Sequence, residues 1–571
     1  MSKDVTIGIS GAAGMGMQSI SFTLAKSFLR AGYNVFVWQD VMSRIRGGNN
    51  TSIIRISTSP VNSIKEKFDI LVALDLLAIK RNALRVQDGG ILLYDGDKQR
   101  AEVLKAGWVS VPFDKLAVSA GGDKIMVNSV ATGAVLALLG ADIIKECEGV
   151  IKELFSKKGT EVVSGNIKAV NAGIAAVTPG VSGKFMLAPT LKVNSKNKIL
   201  INGSEALGIG AVSAGLKFYS GYPMSPATSI MEYVAAKARE YGIVLEQAED
   251  EIAAINMAIG AGYGGVRAMT CTSGGGFALM IEGVSLAGMT ETPVVIGISQ
   301  RPGPATGFPT RTEQGDLNMV LFAGHGDFAR VILAPATAAD GPLIMSRAFN
   351  LAEKYQVPVF VLSDQYFNDS SFSVNLADVR ADPVSRGGLL AEFPGNYNYK
   401  RYDLSAGRVS PRLIPGAKNQ VVYADSDEHT EEGHITESAE LRVKMVDKRA
   451  GKLAEIVSDM DQPVYFGSEK PETVLVSWGS SFGAVKEAAE ILNASGKPAG
   501  LLHFTNIWPL PELKFKFNES SVKRYICAEN NYSGQFADLL EKNTKLRFNK
   551  RILRYDGHPL TAEYIVGRLE G

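Results

Sequence analysis

Two prolines, Pro223 and Pro226, constrain the fold of this chain more than any other feature of its sequence. Each proline fixes its own φ and lacks an N–H, so the pair fits neither a helix interior nor a central strand. Each also pushes the preceding residue toward extended geometry. Residues 222–228 are therefore predicted to form a stiff loop between a strand and a helix, with the hydroxyls of Ser225 and Thr228 displayed. The simpler alternative is a rigid turn whose hydroxyls cap the helix.

The chain has 571 residues, which is enough for roughly three domains. Its composition is typical of an α/β enzyme. Lys and Arg number 60 and Asp and Glu number 59, so the basic excess that nucleic-acid binding needs is missing. The N-terminus lacks a signal peptide's apolar core, and no apolar run reaches the roughly 18–20 residues of a membrane span. We therefore expect a cytoplasmic protein that binds neither nucleic acid nor membrane.

The cysteines and histidines do not predict a metal site. Cys147, Cys271 and Cys527 are far apart and form no C-x-x-C pair, which argues against disulfides, a four-cysteine cluster and a zinc site. We expect them to be small buried side chains. The acidic stretch 427–434 contains two histidines, but we interpret it as a solvated loop because it lacks the apolar periodicity of a rigid scaffold.

Residues 1–185 are predicted to form a doubly wound α/β domain, joined to the rest by a linker at 177–202. The alternating strand 4–10 leads into a glycine-rich loop, a helix and a second strand at 34–38. The glycines lack the G-x-G-x-x-G spacing of a dinucleotide fold, so a nucleotide-dependent dehydrogenase is only an alternative. The stretch 44–50 is predicted to be a basic glycine loop, either an anion or partner contact or a surface turn.

A second α/β domain is predicted at 195–368. After the proline loop, an acidic cluster at 249–251 begins a helix rich in Ala and Gly. Acids in a first turn also stabilise the helix dipole, which is the simpler explanation for them. A later strand leads into the loop 300–312, which contains Arg301 and Arg311. In open α/β sheets such loops line the ligand crevice, where a guanidinium can fork a carboxylate.

The remaining residues, 369–571, are predicted to form a third α/β domain, whose strands and helices begin near 473. Before them lies an extended excursion at 383–457, which has many charges and few helix or strand signals before 440. We interpret this excursion as an ordered segment that crosses a partner's surface.

Four motifs in one order resemble the thiamine-dependent 2-oxoacid:ferredoxin oxidoreductases. They lie at 222–226 (YPMSP), 251–262 (EIAAINMAIGAG), 272–276 (TSGGG) and 309–317 (PTRTEQGDL). The resemblance implies a γ-like doubly wound domain, a thiamine pyrimidine-binding domain and a transketolase C-terminal-like domain. This order is similar to the fused γ–α large subunit of 2-oxoglutarate:ferredoxin oxidoreductases.

Position in these motifs implies roles for individual residues. Glu251, with Glu249 as the fallback, would be catalytic by hydrogen-bonding the aminopyrimidine of thiamine diphosphate and favouring its activating tautomer. Tyr222 and Pro223 would also contact the cofactor.

Four residues would bind the substrate. Ser225 and Thr228 would contact the 2-oxoacid, and Arg311, or else Arg301, would pair with its carboxylate. Ser225 stands where the family commonly has Thr, and Ala227 where it has Thr or Ser.

The resemblance also implies partners. A β subunit would supply the diphosphate site, Mg²⁺ and a four-iron–four-sulfur cluster in an (αβ)₂ heterotetramer, with CoA as cosubstrate and ferredoxin as electron acceptor. The predicted reaction is reversible oxidative decarboxylation of 2-oxoglutarate to succinyl-CoA. Pyruvate or broad specificity, and a non-catalytic scaffold subunit, remain as alternatives.

Overall fold

The computed structural model describes residues 3–43, 47–98, 108–140, 143–190, 197–396, 398–418 and 420–570. The chain forms two units, one of residues 1–201 with 369–378 and one of residues 202–368 with 379–571. The strands are β1 (Asp4–Ala13), β2 (Asn34–Asp40), β3 (Gly47–Ser57), β4 (Phe68–Ala73), β5 (Val86–Tyr94), β6 (Trp108–Ser110), β7 (Lys198–Asn202), β8 (Phe218–Gly221), β9 (Val244–Gln247), β10 (Ala268–Thr272), β11 (Val294–Gln300), β12 (Val331–Leu333), β13 (Pro358–Asp364), β14 (Ser371–Asn375), β15 (Leu389–Leu390), β16 (Arg412–Leu413), β17 (Val464–Gly467), β18 (Thr473–Trp478), β19 (Ala499–Phe504), β20 (Asn506–Trp508), β21 (Arg524–Glu529) and β22 (Lys550–Leu553). The α-helices are α1 (Met17–Arg30), α2 (Leu76–Asn82), α3 (Phe113–Leu116), α4 (Val127–Leu139), α5 (Ile144–Phe155), α6 (Thr160–Ala176), α7 (Gly203–Ser213), α8 (Thr228–Tyr241), α9 (Glu251–Tyr263), α10 (Gly274–Met289), α11 (Leu317–Leu321), α12 (Gly341–Tyr355), α13 (Gln365–Asp369), α14 (Ala439–Ile456), α15 (Phe482–Ala494), α16 (Gln535–Asn543) and α17 (Ala562–Glu570).

The first unit is built on an eight-stranded mixed sheet with strand order β6-β5-β4-β1-β3-β2-β14-β7. β1, β4, β5 and β6 are parallel, whereas β3 lies antiparallel between β1 and β2. α4 and α6 cross at Gly133 and Gly173, where an added Cβ would come within 2.0 Å of a carbonyl oxygen of the other helix. Glycine is needed at this crossing because no side chain fits between the two backbones.

The predicted loop at 44–50 is corrected in its described part. Residues 44–46 lie outside the described residues, and the following residues begin strand β3. Gly and Asn have low strand propensity. Here a buried hydrogen bond from Ser10 Oγ to Asn49 Oδ1, 3.0 Å long, holds the strand start against β1. A second difference concerns 371–375, which the sequence placed in the third domain but which form β14 and pair with β2.

The second unit contains two sheets. The larger has strand order β20-β12-β13-β11-β10-β8-β9 and is parallel except for β20. The smaller has strand order β17-β19-β18-β21-β22 and is parallel except for β17. One core of buried side chains spans both sheets, from Phe277 and Phe360 to Trp478 and Phe536. The predicted second and third domains therefore share their apolar interior.

The excursion at 383–457 packs on other residues of the second unit, and its predicted contact with a partner stays a prediction. The Arg401 Nη2 group donates to the carbonyl oxygen of Glu291 at 2.7 Å, and Arg412 Nη1 donates to that of Gly262 at 2.6 Å. Both arginine side chains are buried. Main-chain carbonyls of the unit thus hold the excursion in place.

The acidic stretch 427–434 is not the solvated loop that its composition predicts. His429 is fully buried, with its ring 4.0 Å from that of Tyr402. Glu428 pairs with Arg442 at 2.6 Å and with Arg449 at 2.8 Å, both on α14. These cations lie more than ten residues away in sequence, which is why local composition gave the wrong prediction.

All three cysteines are buried, as predicted. Burial raises the pKa of Cys147 to about 11 and that of Cys271 to about 12. Within the described ranges, no single helix is long and apolar enough to cross a membrane. Phe113–Ala120 and Lys124–Leu139 reach that length and apolarity only together, across a bend of 118°.

Candidate functional site

The proline loop connects β8 to α8, as the sequence predicts. Ser225 is exposed, and its carbonyl oxygen accepts a hydrogen bond of 2.8 Å from Arg301 Nη1. The residue that caps α8 is Ala227, so neither Ser225 nor Thr228 caps this helix. The alternative of a simple capping turn is therefore not what the structure shows.

Glu251 is the first residue of α9 and faces the interior. Asp250 caps the helix by accepting a hydrogen bond of 2.7 Å from the Ala253 N–H. Glu251 is 5% exposed, and no described residue hydrogen-bonds its carboxylate. Glu249, the fallback, is exposed. A ligand group that donates a hydrogen bond at this place would pair with the carboxylate of Glu251.

Bare backbone at the start of α10 makes room for this carboxylate. A Cβ on Gly276 would lie 2.5 Å from Glu251 Oε1 and 2.2 Å from Thr272 Oγ1, closer than real side chains approach. The hydroxyls of Thr272 and Ser273 are buried and have no hydrogen-bond partner in the described chain. Together with Glu251, these groups offer one carboxylate and two hydroxyls to a polar heterocycle, which fits an aminopyrimidine.

The two preceding glycines face other parts of the site. Gly275 faces the proline loop, and Met224 Cε lies 3.9 Å from the position that an added Cβ would take. Gly274 faces Asp316, whose two carboxylate oxygens would both lie 2.4 Å from such a Cβ. The first turn of α10 therefore has the proline loop, Glu251 and Asp316 around it.

The two predicted arginines occupy different ends of the loop 300–312. Arg301 contacts the proline loop directly. Arg311 lies against the 554–558 turn, with its Cβ 3.1 Å from the position of an added Cβ on Gly557. Tyr222 is exposed and Pro223 is half-buried at the start of the proline loop.

Three carboxylates in this region were not predicted from the sequence. Burial raises the pKa of Asp316 to about 6, although Arg301 opposes the shift. Burial, and then the charge of Asp316, raise the pKa of Glu313 to about 7. Burial also raises the pKa of Asp364 to about 6. Glu313 and Asp316 lie in the same motif as Arg311. Their position in a loop that follows the end of a strand was the sequence signal that could have identified them as site residues.

Gln314 fastens this acidic segment to the smaller sheet of the same unit. Its N–H donates to the Asn530 carbonyl oxygen at 2.6 Å, and its side chain donates to the Trp478 carbonyl oxygen at 3.0 Å. The Asn530 N–H in turn donates to Gln314 Oε1 at 3.0 Å. The site is therefore supported by both sheets, which the sequence alone did not indicate.

Three known protein families match successive parts of the chain. Residues 6–176 match "Pyruvate ferredoxin/flavodoxin oxidoreductase", residues 209–448 match "Pyruvate flavodoxin/ferredoxin oxidoreductase, thiamine diP-bdg", and residues 471–565 match "Pyruvate:ferredoxin oxidoreductase core domain II". The second match contains the proline loop, Glu251 and both arginines.

Individual proteins are similar over greater lengths. The 2-oxoacid:ferredoxin oxidoreductase subunit alpha of Sulfolobus sp is 30% identical over 97% of this chain and 95% of its own. The 2-oxoglutarate synthase subunit KorA of Methanothermobacter marburgensis is 32% identical over 59% of this chain and 89% of its own. A 2-oxoglutarate:ferredoxin oxidoreductase from Magnetococcus marinus, solved with 2-oxoglutarate, coenzyme A and succinyl-CoA bound, is 31% identical, with a TM-score of 0.92 over 100% of this chain and 99% of that chain. The predicted α/β fold class is confirmed.

Proposed function

The chain belongs to the 2-oxoacid:ferredoxin oxidoreductase family, and we propose that it is the large subunit of a CoA-dependent enzyme acting on 2-oxoglutarate. In the proposed reaction, 2-oxoglutarate and CoA give succinyl-CoA, CO₂ and a proton, and two electrons pass to ferredoxin, reversibly. The carrying observation is that Glu251 is largely buried and that its carboxylate lies against the bare backbone of Gly276.

Glu251 would hold the aminopyrimidine of thiamine diphosphate, and Tyr222 and Pro223 would contact the cofactor from the start of the proline loop. The cofactor, when bound, supplies a carbon nucleophile that accepts the electrons of the broken C–C bond. This chain contributes the position of the carboxylate. Glu251 is largely buried, so its charge acts on a bound heterocycle more strongly than it would in bulk water.

The substrate would lie between the proline loop and the loop 300–312. Ser225 and Thr228 offer hydroxyls, and Arg311 and Arg301 offer guanidinium forks that match carboxylate geometry. Arg301 already holds the main chain of Ser225, so it would position the proline loop as well as attract the anion.

Support for 2-oxoglutarate comes from relatives. The Magnetococcus marinus enzyme was solved with that acid bound, and the KorA relative is named a 2-oxoglutarate synthase. A dicarboxylate also suits a loop with two arginines. Pyruvate, or a broad range of 2-oxoacids, is the second candidate, because the Sulfolobus relative is named only for 2-oxoacids.

We further propose a β subunit that supplies the diphosphate site, Mg²⁺ and the iron–sulfur cluster, in an (αβ)₂ heterotetramer that reduces ferredoxin. An exposed apolar surface beside Glu251 supports a partner at this place. Ile252 and Met257 of α9 are 49% and 41% exposed, and Leu279 of α10 is 52% exposed. A cytoplasmic location remains a prediction from the sequence.

The proposal is tested with the chain reconstituted with its β subunit, ferredoxin, CoA and a panel of 2-oxoacids. We expect 2-oxoglutarate to have the highest kcat/KM. Arg311→Ala should raise the KM for the oxoacid by roughly tenfold or more, about 1.4 kcal/mol, and leave the KM for CoA nearly unchanged. Equal effects on both KM values would mean that Arg311 does not bind the oxoacid. Activity of this chain without a β subunit would contradict the proposal of a heteromeric enzyme.

A further inference from the structure

A cleft of about 450 Å³ opens in the second unit where α11, the segment 324–330, β20 and α16 meet. A volume between roughly 300 and 1,000 Å³ is usual for small-molecule sites. Six apolar side chains line the cleft: Leu321, Phe322, Phe328, Leu453, Trp508 and Leu539. None of them takes part in the function proposed above, so a role for the cleft does not depend on that function.

Arg330 also lines this cleft, although it is only 7% exposed. Its Nη1 group donates to the carbonyl oxygens of Val320 at 3.1 Å and Ala323 at 2.5 Å. Its guanidinium carbon lies 4.4 Å from the centre of the Phe328 ring. The N–H groups on Nε and Nη2 have no hydrogen-bond partner among the residues that the structure describes. The donors on these two nitrogens therefore remain available to a ligand.

Two other buried arginines of the second unit are held by carboxylates. Arg267 pairs with Glu353 at 2.9 Å, and Arg449 pairs with Glu428 at 2.8 Å. Arg330 forms no ion pair within the described ranges, and burial lowers its pKa to about 10 with no carboxylate opposing the shift. The two carbonyl oxygens that it contacts lie at the end of α11 and occupy one nitrogen. They explain the position of the guanidinium, but they do not supply a counter-ion.

The other charges that line the cleft are exposed. They are one cation, Lys542, and two acids, Asp327 and Asp538. Charges in contact with water are screened, whereas a buried guanidinium acts at close range in a medium of lower dielectric constant. The cleft is therefore complementary to one negative charge that is carried on an apolar body.

We propose that this cleft binds a small monocarboxylic acid with an apolar body. The carboxylate accepts hydrogen bonds from Nε and Nη2 of Arg330, the side-by-side arrangement in which a guanidinium forks a carboxylate. The apolar body packs against Phe322 and Trp508, which removes its surface from water. Charge and apolar area are thus recognised together. Acetate lacks the apolar area, and a neutral amide with the same body lacks the charge.

The test is calorimetric titration of the full chain with three probes, namely naphthylacetate, the neutral naphthylacetamide and acetate. The acid should bind at least about tenfold more tightly than the amide, because only the carboxylate forms charge-assisted hydrogen bonds with Arg330. Acetate should give no measurable heat at concentrations at which naphthylacetate saturates the chain. The same titrations are repeated on the chain reconstituted with its β subunit, where the differences should persist.

Two variants locate the bound acid. Arg330→Gln should weaken binding of the acid by about tenfold or more and leave binding of the amide unchanged. Arg239→Gln, which alters an exposed arginine on α8, is the control and should change neither affinity. Phe322→Ala truncates a side chain that is 67% exposed, so the fold should be retained. It should weaken acid and amide alike by roughly threefold or more, because both lose the same apolar contact.

Equal affinities for acid and amide overturn the proposal, and so does an Arg330→Gln variant with wild-type affinity for the acid. If Arg330→Gln does not fold, Phe322→Ala decides, and wild-type affinities in that variant overturn the site. Acid binding that Arg311→Ala abolishes belongs to the proposed oxoacid site instead. Acid binding that the β subunit abolishes makes the cleft a contact between subunits. Either of these two results also overturns the proposal.

Discussion

Two sets of buried carboxylates in the second unit are treated by the fold in opposite ways. Glu291, which is 1% exposed, accepts ion pairs from Lys448 at 2.6 Å and Lys452 at 2.5 Å. Burial alone would raise its pKa, but Lys452, Lys448 and Arg401 more than offset this and hold the pKa of Glu291 well below its usual range. Glu251, which is nearly as buried, has no partner in the described chain.

Glu353 and Asp316 show the same contrast between a paired and an unpaired carboxylate. Glu353 receives Arg267 at 2.9 Å and Arg386 at 2.6 Å. Asp316, by comparison, leaves one buried oxygen without a donor. The paired acids hold α14 and the excursion at 383–457 to the core, whereas the unpaired acids surround the first turn of α10. Unpaired burial costs stability, so its concentration around one helix start marks the site.

The largest expected effect comes from Glu251→Gln. The variant keeps the shape but loses the charge that would act on the cofactor, so kcat should fall by about 10²- to 10⁴-fold, the usual range for a positioned proton-handling group. Because the charge is unpaired in the chain itself, the melting temperature should stay the same or rise. Both are measured on the reconstituted heteromer and on the chain alone.

Glu232→Gln, an exposed acid on α8, serves as the matched control and should change neither quantity. If Glu251→Gln destabilised the chain and left kcat unchanged, Glu251 would belong with the paired structural acids.

Glu291→Gln should have the opposite effects, lowering the stability of the chain and leaving kcat unchanged. It leaves Lys448 and Lys452 buried without their counter-ion, which costs about 3–5 kcal/mol of unfolding free energy. Urea titration of the chain measures the loss, and kcat of the folded heteromer should stay near wild type. Glu440→Gln, which breaks the exposed pair with Lys444 on the same helix, should leave the urea midpoint unchanged.

Adding Lys452→Met to Glu291→Gln should recover part of the stability, because one uncompensated cation is removed. A loss for Glu291→Gln no greater than that for Glu440→Gln would mean that pairing does not explain the structural group.

The sequence was sufficient where local chemistry decides the outcome. Two prolines fixed the loop between β8 and α8, and the motif at 251–262 placed Glu251 at the start of a helix. It was insufficient where distant residues decide. Asp316 depends on Gly274, which lies in another motif, and Glu428 is paired by cations of α14. The start of β3 was predicted as a loop because Gly and Asn have low strand propensity. In the fold, pairing with β1 overrides that propensity.

The smallest expected effect concerns the pH dependence of stability. It tests the difference between paired and unpaired buried carboxylates at one residue, Asp316. Asp316 has a pKa of about 6 in the fold and an ordinary value of 3.8. Between these values the folded chain binds more protons than the unfolded chain, so stability falls as pH rises through this window and stays lower above it. Asp316→Asn removes the penalty. Its melting temperature should equal that of the wild type at pH 4 and exceed it by roughly 2–4 °C at pH 8. Asp447→Asn, an exposed acid on α14, should show no such difference. A destabilised Asp316→Asn variant at pH 8 would place Asp316 among the paired acids, with a partner that the folded chain itself supplies.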